Sequence, residues 1–341
     1  MKIPLSGIHV YAYSDKMMSD AIRCCARNGI RSIRYAIVSL PIRGHETDAV
    51  DFFSLSGNGV YAEIAYQTRA QQEQFITYVM EAHAARIKRF ESECQANNIQ
   101  IVVDMHSFLG AEYDFVHHKR PIMSLFVNSI YQDLFIHAWN VLTEGLANVK
   151  SVCAFDLINE PCFIDSDEYV LFMEYLARNV RAIDSDRTLI VEGLRDDLMS
   201  LRKINFEPLR ALGNLVLSGH WYWKTSFTVQ RQGAYGGSKF NFINHKKRIS
   251  SIIRWAKRNN WDLYVGEIGI TPDESPSKWV KSGAHSWFAD ACALFRAYSI
   301  PLAFHAFTQD PVGWEGMHYQ ELVTLYRRRY ADKYRDARQV G

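Results

Sequence analysis

The feature that most narrows what this chain can fold into is an alternation of short apolar, strand-like runs with helical ones, sustained almost from end to end. Gly7 to Tyr13 (GIHVYAY) reads as a first strand. Ser14 then stands as an N-cap for a helix whose apolar positions Met17, Ala21, Cys24 and Cys25 end at Asn28-Gly29. Ile30 to Ile37 follows as a second strand. A helix from about Ala70 places Phe75, Val79, His83, Ile87, Phe90 and Cys94 at helical spacing and closes at Asn97-Asn98, and Ile99 to His106 makes a third strand. The unit recurs as helix Asn128 to Leu146, strand Val152 to Asn159, helix Asp167 to Ile183 and strand Thr188 to Glu192. After a short helical piece near Asp196 to Lys203 come strand Asn214 to Trp221, helix His245 to Asn259, strand Asp262 to Glu267, helix Ser286 to Tyr298 and strand Leu302 to Phe307.

The strands number eight, and several, such as VCAFDLI and LYVGEI, are continuous apolar runs of the kind covered on both faces in a parallel sheet. Eight such units, with 48% hydrophobic residues, predict an α/β chain folded as a single (β/α)8 barrel over residues 1–341. The rival, an open doubly wound sheet, lacks its glycine fingerprint after the first strand. The 34 residues from Val38 to Gln71 exceed a simple connection. Asn58-Gly59 within them divides two strand-like runs, Phe52 to Leu55 and Val60 to Ile64, so a hairpin insertion at the rim of the barrel is expected there.

Composition excludes other classes. The 39 Lys and Arg against 37 Asp and Glu leave a formal charge of +2, which gives no electrostatic reason to expect nucleic acid or an anionic membrane as partner. No run approaches the roughly 18 to 20 apolar residues of a membrane span. The N-terminus lacks a basic-then-apolar leader pattern, which leans the expectation toward the cytoplasm without fixing it. Six cysteines without a CxxC read as reduced core thiols. The run His117 to Arg120 reads as solvated surface, His9 stands alone on its strand without an HxH partner, and no metal or cofactor is assigned. The oligomeric state is not legible.

In a barrel of this kind the reactive groups collect where strands lead into loops. Strand two carries Arg34, strand three ends at His106, strand four at Asn159-Glu160-Pro161, strand six at His220-Trp221-Tyr222 and strand seven at Glu267. Two glutamates thus face each other across the barrel mouth. Glycoside hydrolysis needs two opposed carboxylates: one protonates the leaving oxygen and the other stabilises or attacks the anomeric carbon. His220 and Tyr222, two apart on one strand, point the same way and are expected to orient a carboxylate together. Arg34 is expected to hold the other glutamate ionised. Trp221, Trp223 and Trp314 offer flat apolar faces for sugar rings.

At these residues the chain resembles glycoside hydrolase family 5, a family of barrel enzymes that retain anomeric configuration. The resemblance rests on Ala154 to Pro161 (AFDLINEP) and on Val265 to Ile268 (VGEI). Asn28-Gly29 followed by Ile33-Arg34, Asp104-Met105-His106 and His220-Trp221-Tyr222 add to it. It implies Glu160 as general acid/base, Glu267 as nucleophile and Asn159 as the group that hydrogen-bonds the sugar 2-hydroxyl. Arg34, His106, His220 and Tyr222 would support them, with a β-linked carbohydrate as substrate. The family usually places a Trp at the end of strand eight, where this chain reads Phe304-His305-Ala306-Phe307. Alternatives using the same residues are a transglycosylase and, from another class, a carbohydrate-binding pseudoenzyme, against which the presence of both glutamates argues.

Overall fold

The computed structural model describes residues 3–11, 14–37, 39–41, 49–51, 68–108, 112–114, 120–122, 124–195, 197–230, 232–270 and 282–307. Eight parallel strands close into a barrel: β1 (Ser6–Tyr11), β2 (Ser32–Ala36), β3 (Gln100–Asp104), β4 (Val152–Asp156), β5 (Thr188–Glu192), β6 (Leu215–Trp221), β7 (Asp262–Ile268) and β8 (Leu302–Phe307). Each strand pairs with its sequence neighbours, and β8 pairs with β1 to close the ring. The chain is a (β/α)8 barrel, as the alternation predicts.

Among the described residues, six longer helices surround it: α1 (Asp15–Asn28), α2 (Arg69–Arg89), α3 (Ser129–Leu146), α4 (Ser166–Ile183), α5 (Phe242–Arg258) and α6 (Ala284–Ala297). Their ends follow from local chemistry. Ser14 accepts the Met17 amide at 3.2 Å to start α1, and Gly29 stops it in the left-handed region at φ 63°, where a side chain would be strained. Thr68 and Gln71 form a reciprocal capping box at the start of α2. Between β5 and β6 two 3-10 turns, Leu198–Lys203 and Glu207–Leu212, replace a full helix.

Alternation along each strand sorts the side chains into two cores. Outward positions such as Ile33, Val103, Phe155, Leu189, Leu217 and Val265 join the helices in one large buried cluster. Fully burying each such side chain contributes about 1.5–3 kcal/mol. Inward positions low in the barrel, Val102, Ala154, Ile190, Val216, Tyr264 and Ala303, fill a second, separate cluster. The inward residues one step nearer the mouth are polar or charged: Arg34, Asp104, Asp156, Glu192 and Ser218 are all buried. The apolar plug is therefore a floor, and the layer above it is built for chemistry.

Of the Val38 to Gln71 segment, the described parts are an antiparallel pair, Ser39–Pro41 with Ala49–Asp51, and the start of α2 from residue 68. The hairpin expected around Asn58-Gly59 lies outside the described residues, as does Trp314. No helix among the described residues is long and apolar enough to cross a membrane.

Candidate active site

Arg34 anchors the polar layer. It comes from β2, has no solvent exposure, and spreads its guanidinium among four carboxylates. Nε meets Asp156 at 2.9 Å, Nη1 meets Glu267 at 2.9 Å, and Nη2 meets Glu192 at 2.9 Å and Asp104 at 3.1 Å. Nη2 also donates to Asn159 Oδ1 at 3.0 Å, so the part of the Asn159 amide left for a ligand is its donor end. One cation cannot balance four buried anions. Burial, reinforced by the charges of Glu192 and Asp104 and only partly offset by Arg34, pushes the Asp156 carboxyl well above the usual range.

Glu267 reaches this cluster through an irregularity in β7. Between Val265 and Ile268 the strand has one residue more than its partner β6 needs between Gly219 and Trp221. Gly266 and Glu267 occupy that bulge, and Ile268 returns to the outer core. A bulge re-aims a side chain that simple alternation would send outward. Glu267 Oε1 accepts from Arg34, and Oε2 accepts from Tyr222 Oη at 2.7 Å. Nδ1 of His9 lies 3.1 Å away, and His220, His305 and His106 follow at 3.5, 3.7 and 3.8 Å. Burial alone would raise this carboxyl, but the charge of His220 leads the interactions that override it and hold Glu267 well below the ordinary carboxylate range.

Glu160 arrives differently. The hydrogen-bonded part of β4 stops at Asp156, earlier than the Asn159 expected from sequence, and the chain turns so that Glu160 sits at φ 44°. Its amide donates to Glu192 Oε2 at 2.8 Å, and its Oε1 lies 2.6 Å from His220 Nδ1. The Glu160 side chain is 20% exposed against 5% for Glu267. One oxygen of each glutamate and a nitrogen of His220 lie within 4.8 Å of one another. Burial would lower the His220 pKa, but Glu192 and Glu267, with hydrogen bonds to Glu160 and Glu192, raise it well above its ordinary value, so this imidazole is cationic at neutral pH.

The structure therefore brings Arg34, Asn159, Glu160, His220, Tyr222 and Glu267 into one network, with His106 at its edge through Asp104, 2.9 Å from its Nδ1. His220 and Tyr222 do point the same way, but they serve different carboxylates, His220 holding Glu160 and Tyr222 holding Glu267. Trp221 requires a correction. It faces out of the barrel, is 1% exposed, donates from Nε1 to His245 at 2.7 Å and stacks on that ring, so it is a packing residue and offers no face to a sugar. Trp223 packs edge-on against Phe240 and also lies against His245.

Sequence reading passed over His9, Tyr11, Asp104, Asp156, Glu192 and His305 as site members. His305 occupies the β8 position, with Nε2 2.8 Å from Tyr11 Oη, and burial lowers its pKa to about 4. The signal for most of these was parity, since each lies an even number of residues from another inward residue of its strand. Trios such as His9, Glu267 and His305 have the spacing of metal ligands. Arg34, however, already places positive charge 2.9 Å from Glu267 and 3.1 Å from His9, which makes the cluster a hydrogen-bond network as it stands.

Comparison with known proteins identifies the family and the fold. The family description "Cellulase (glycosyl hydrolase family 5)" matches residues 3–309. Endoglucanase C of Acetivibrio thermocellus is 25% identical, with 69% of this chain and 77% of that protein covered. Endoglucanase C307 of a Clostridium species gives the same figures. Among solved structures, Thermotoga maritima Cel5A in complex with mannotriose superposes with a TM-score of 0.64 at 15% identity, covering 95% of this chain and 98% of that one. A hyperthermophilic endo-β-1,4-glucanase in complex with substrate gives 0.63 at 13% identity over 93% and 96%. With its family description matched across the barrel, the chain belongs to glycoside hydrolase family 5 and is a glycosidase.

Proposed function

We propose that the chain hydrolyses β-glycosidic bonds of a β-linked glucan with retention of configuration, by double displacement through a covalent glycosyl-enzyme. Glu267 is the nucleophile and Glu160 the general acid/base. The observation that carries this reading is the proximity of the two carboxylates, an oxygen of each lying within 4.8 Å of the other. A retaining pair is about 5–5.5 Å apart, whereas an inverting pair leaves roughly 6.5–9.5 Å for a water. Their unequal surroundings support the division of roles. Glu267 is buried, ionised and fixed by Arg34 and Tyr222, as a nucleophile must be. Glu160 is more exposed, beside a cationic imidazole that stabilises the carboxylate formed when its proton is given up. The contact of Asn159 Oδ1 with Arg34, which leaves the amide donor for a ligand, supports its reading as the group that hydrogen-bonds the sugar 2-hydroxyl. The endoglucanase relatives support a glucan as substrate. Trp314 supplies a sugar-stacking face in this reading.

The test is the anomeric configuration of the first-formed product. Proton NMR during hydrolysis of a β-glucan oligosaccharide should show the β-anomer first, with the α-anomer growing only by mutarotation. Initial α-product would overturn the retaining assignment. Trp314→Ala should raise KM for the oligosaccharide with kcat little changed.

A further inference from the structure

Glu192 ends β5 with no solvent exposure, and nothing in the reaction as proposed gives it a task. Its two oxygens do separate things. Oε2 accepts the main-chain N–H of Glu160 at 2.8 Å, the residue whose backbone is in the left-handed region at φ 44°. Oε1 lies 3.1 Å from His220 Nε2, and the other nitrogen of that ring is 2.6 Å from Glu160 Oε1. A single buried carboxylate thus grips both ends of Glu160, the backbone directly and the carboxyl through an imidazole.

Two further observations show that this contact is built in. A Cβ added at Gly266 would come within 3.2 Å of Glu192 Oε1, His220 Nε2 and Ser218 Oγ, so the residue before Glu267 is one that leaves room for the Glu192–His220 pair. From outside the barrel, the Tyr169 hydroxyl of α4 donates to the Glu192 carbonyl at 2.5 Å and fixes the end of β5. Arg34 also meets Glu192 but keeps Asp104, Asp156 and Glu267 without it, whereas His220 has Glu192 as the partner of its Nε2.

We propose that Glu192 is the positioning residue of the acid/base, fixing the backbone of Glu160 and, through His220, the carboxyl that gives a proton to the leaving oxygen and later takes one from water. It touches neither substrate nor the reacting atoms. The inference rests on the assignment of Glu160 as acid/base. Glu192 and Glu267 hold His220 cationic, so removing the Glu192 charge weakens the group that stabilises ionised Glu160.

The groups facing His220 are Glu192 from β5, Glu160 after β4, Glu267 from β7 and, ring to ring, Tyr222 on its own strand. Two measurements on the full-length chain test the proposal. In the first, kcat/KM is compared for Glu192→Gln and the parent on two aryl β-glucosides, one with a dinitrophenolate leaving group that needs no proton and one with a phenolate that does. The expected result is a loss on the order of 10²-fold with the phenyl glucoside and less than about 3-fold with the dinitrophenyl glucoside. Glu192→Asp, which keeps the charge, should recover part of the phenyl activity. Equal losses on both substrates would overturn the proposal, because a purely structural defect makes no distinction between leaving groups. In the second, the His220 imidazole is titrated by NMR, which needs no turnover. Its midpoint should fall in Glu192→Gln, and an unchanged midpoint would overturn the relay. A parent chain inactive on both glucosides would instead count against the hydrolase reading, leaving the titration to decide on Glu192.

Discussion

The two glutamates at the mouth of the barrel are the same residue type, a few ångströms apart, and the fold treats them in opposite ways. Glu267 stands in a bulge of β7 and is buried, with a guanidinium, a phenol and several imidazoles turned toward it. Glu160 stands past the end of β4, more exposed, with its carboxyl beside the cationic ring of His220. The difference teaches how one sheet gives the same side chain two surroundings. Several fixed donors hold the Glu267 carboxylate in its charged form, while the Glu160 carboxyl meets the His220 ring and keeps more of its surface open.

Removing Glu267 should have the largest effect. Glu267→Ala is expected to lose on the order of 10⁴- to 10⁶-fold in kcat on every substrate, whatever the leaving group, as measured by steady-state kinetics. Activity retained on dinitrophenyl glycosides would erase the contrast. Glu160→Ala should lose about 10²- to 10⁴-fold in kcat/KM, but only where the leaving group needs a proton. Tyr222→Phe removes one hydrogen bond to Glu267 and should cost about 10- to 100-fold on good and poor leaving groups alike, in contrast to the selective loss at Glu160.

The smallest effect is in stability. The folded-state pKa of Glu267 lies below its unfolded value, so the stability it contributes is present above about pH 4.5 and lost as pH falls through the folded value. That of His220 lies above its unfolded value, so its contribution is complete below about pH 6.5 and lost as pH rises toward the folded value. Urea unfolding as a function of pH should show the difference between parent and Glu267→Gln shrinking on the acid side. The difference for His220→Gln should shrink on the alkaline side. The reverse pattern would contradict the charge states assigned to the pair.

The alternation of elements was legible because a barrel strand is apolar on both faces and each helix carries its own caps, as Ser14 and Gly29 show for α1. The glutamates, Arg34, Asn159 and the His220-Tyr222 pair were legible from their place at strand ends. Trp221 was misread although the means to place it were present. If His220 and Tyr222 face inward, the residue between them faces out, and it does, against His245. Glu192 was overlooked because one acidic residue closing an apolar strand looks like any solvated end. Its importance lies in Glu160 and His220, which are 32 and 28 residues away in sequence. The bulge that turns Glu267 inward depends on pairing between β6 and β7, which no local pattern displays.

The division of labour between the two carboxylates is tested most directly by the stereochemistry of rescue with azide, an anion that needs no base to attack. With a dinitrophenyl β-glucoside as substrate, Glu160→Ala still forms the glycosyl-enzyme on Glu267, and azide then displaces it to give the β-glucosyl azide. In Glu267→Ala no such intermediate exists, so azide attacks the substrate from the vacated side and gives the α-glucosyl azide. The account predicts these two different products by NMR. The same azide from both variants would contradict it.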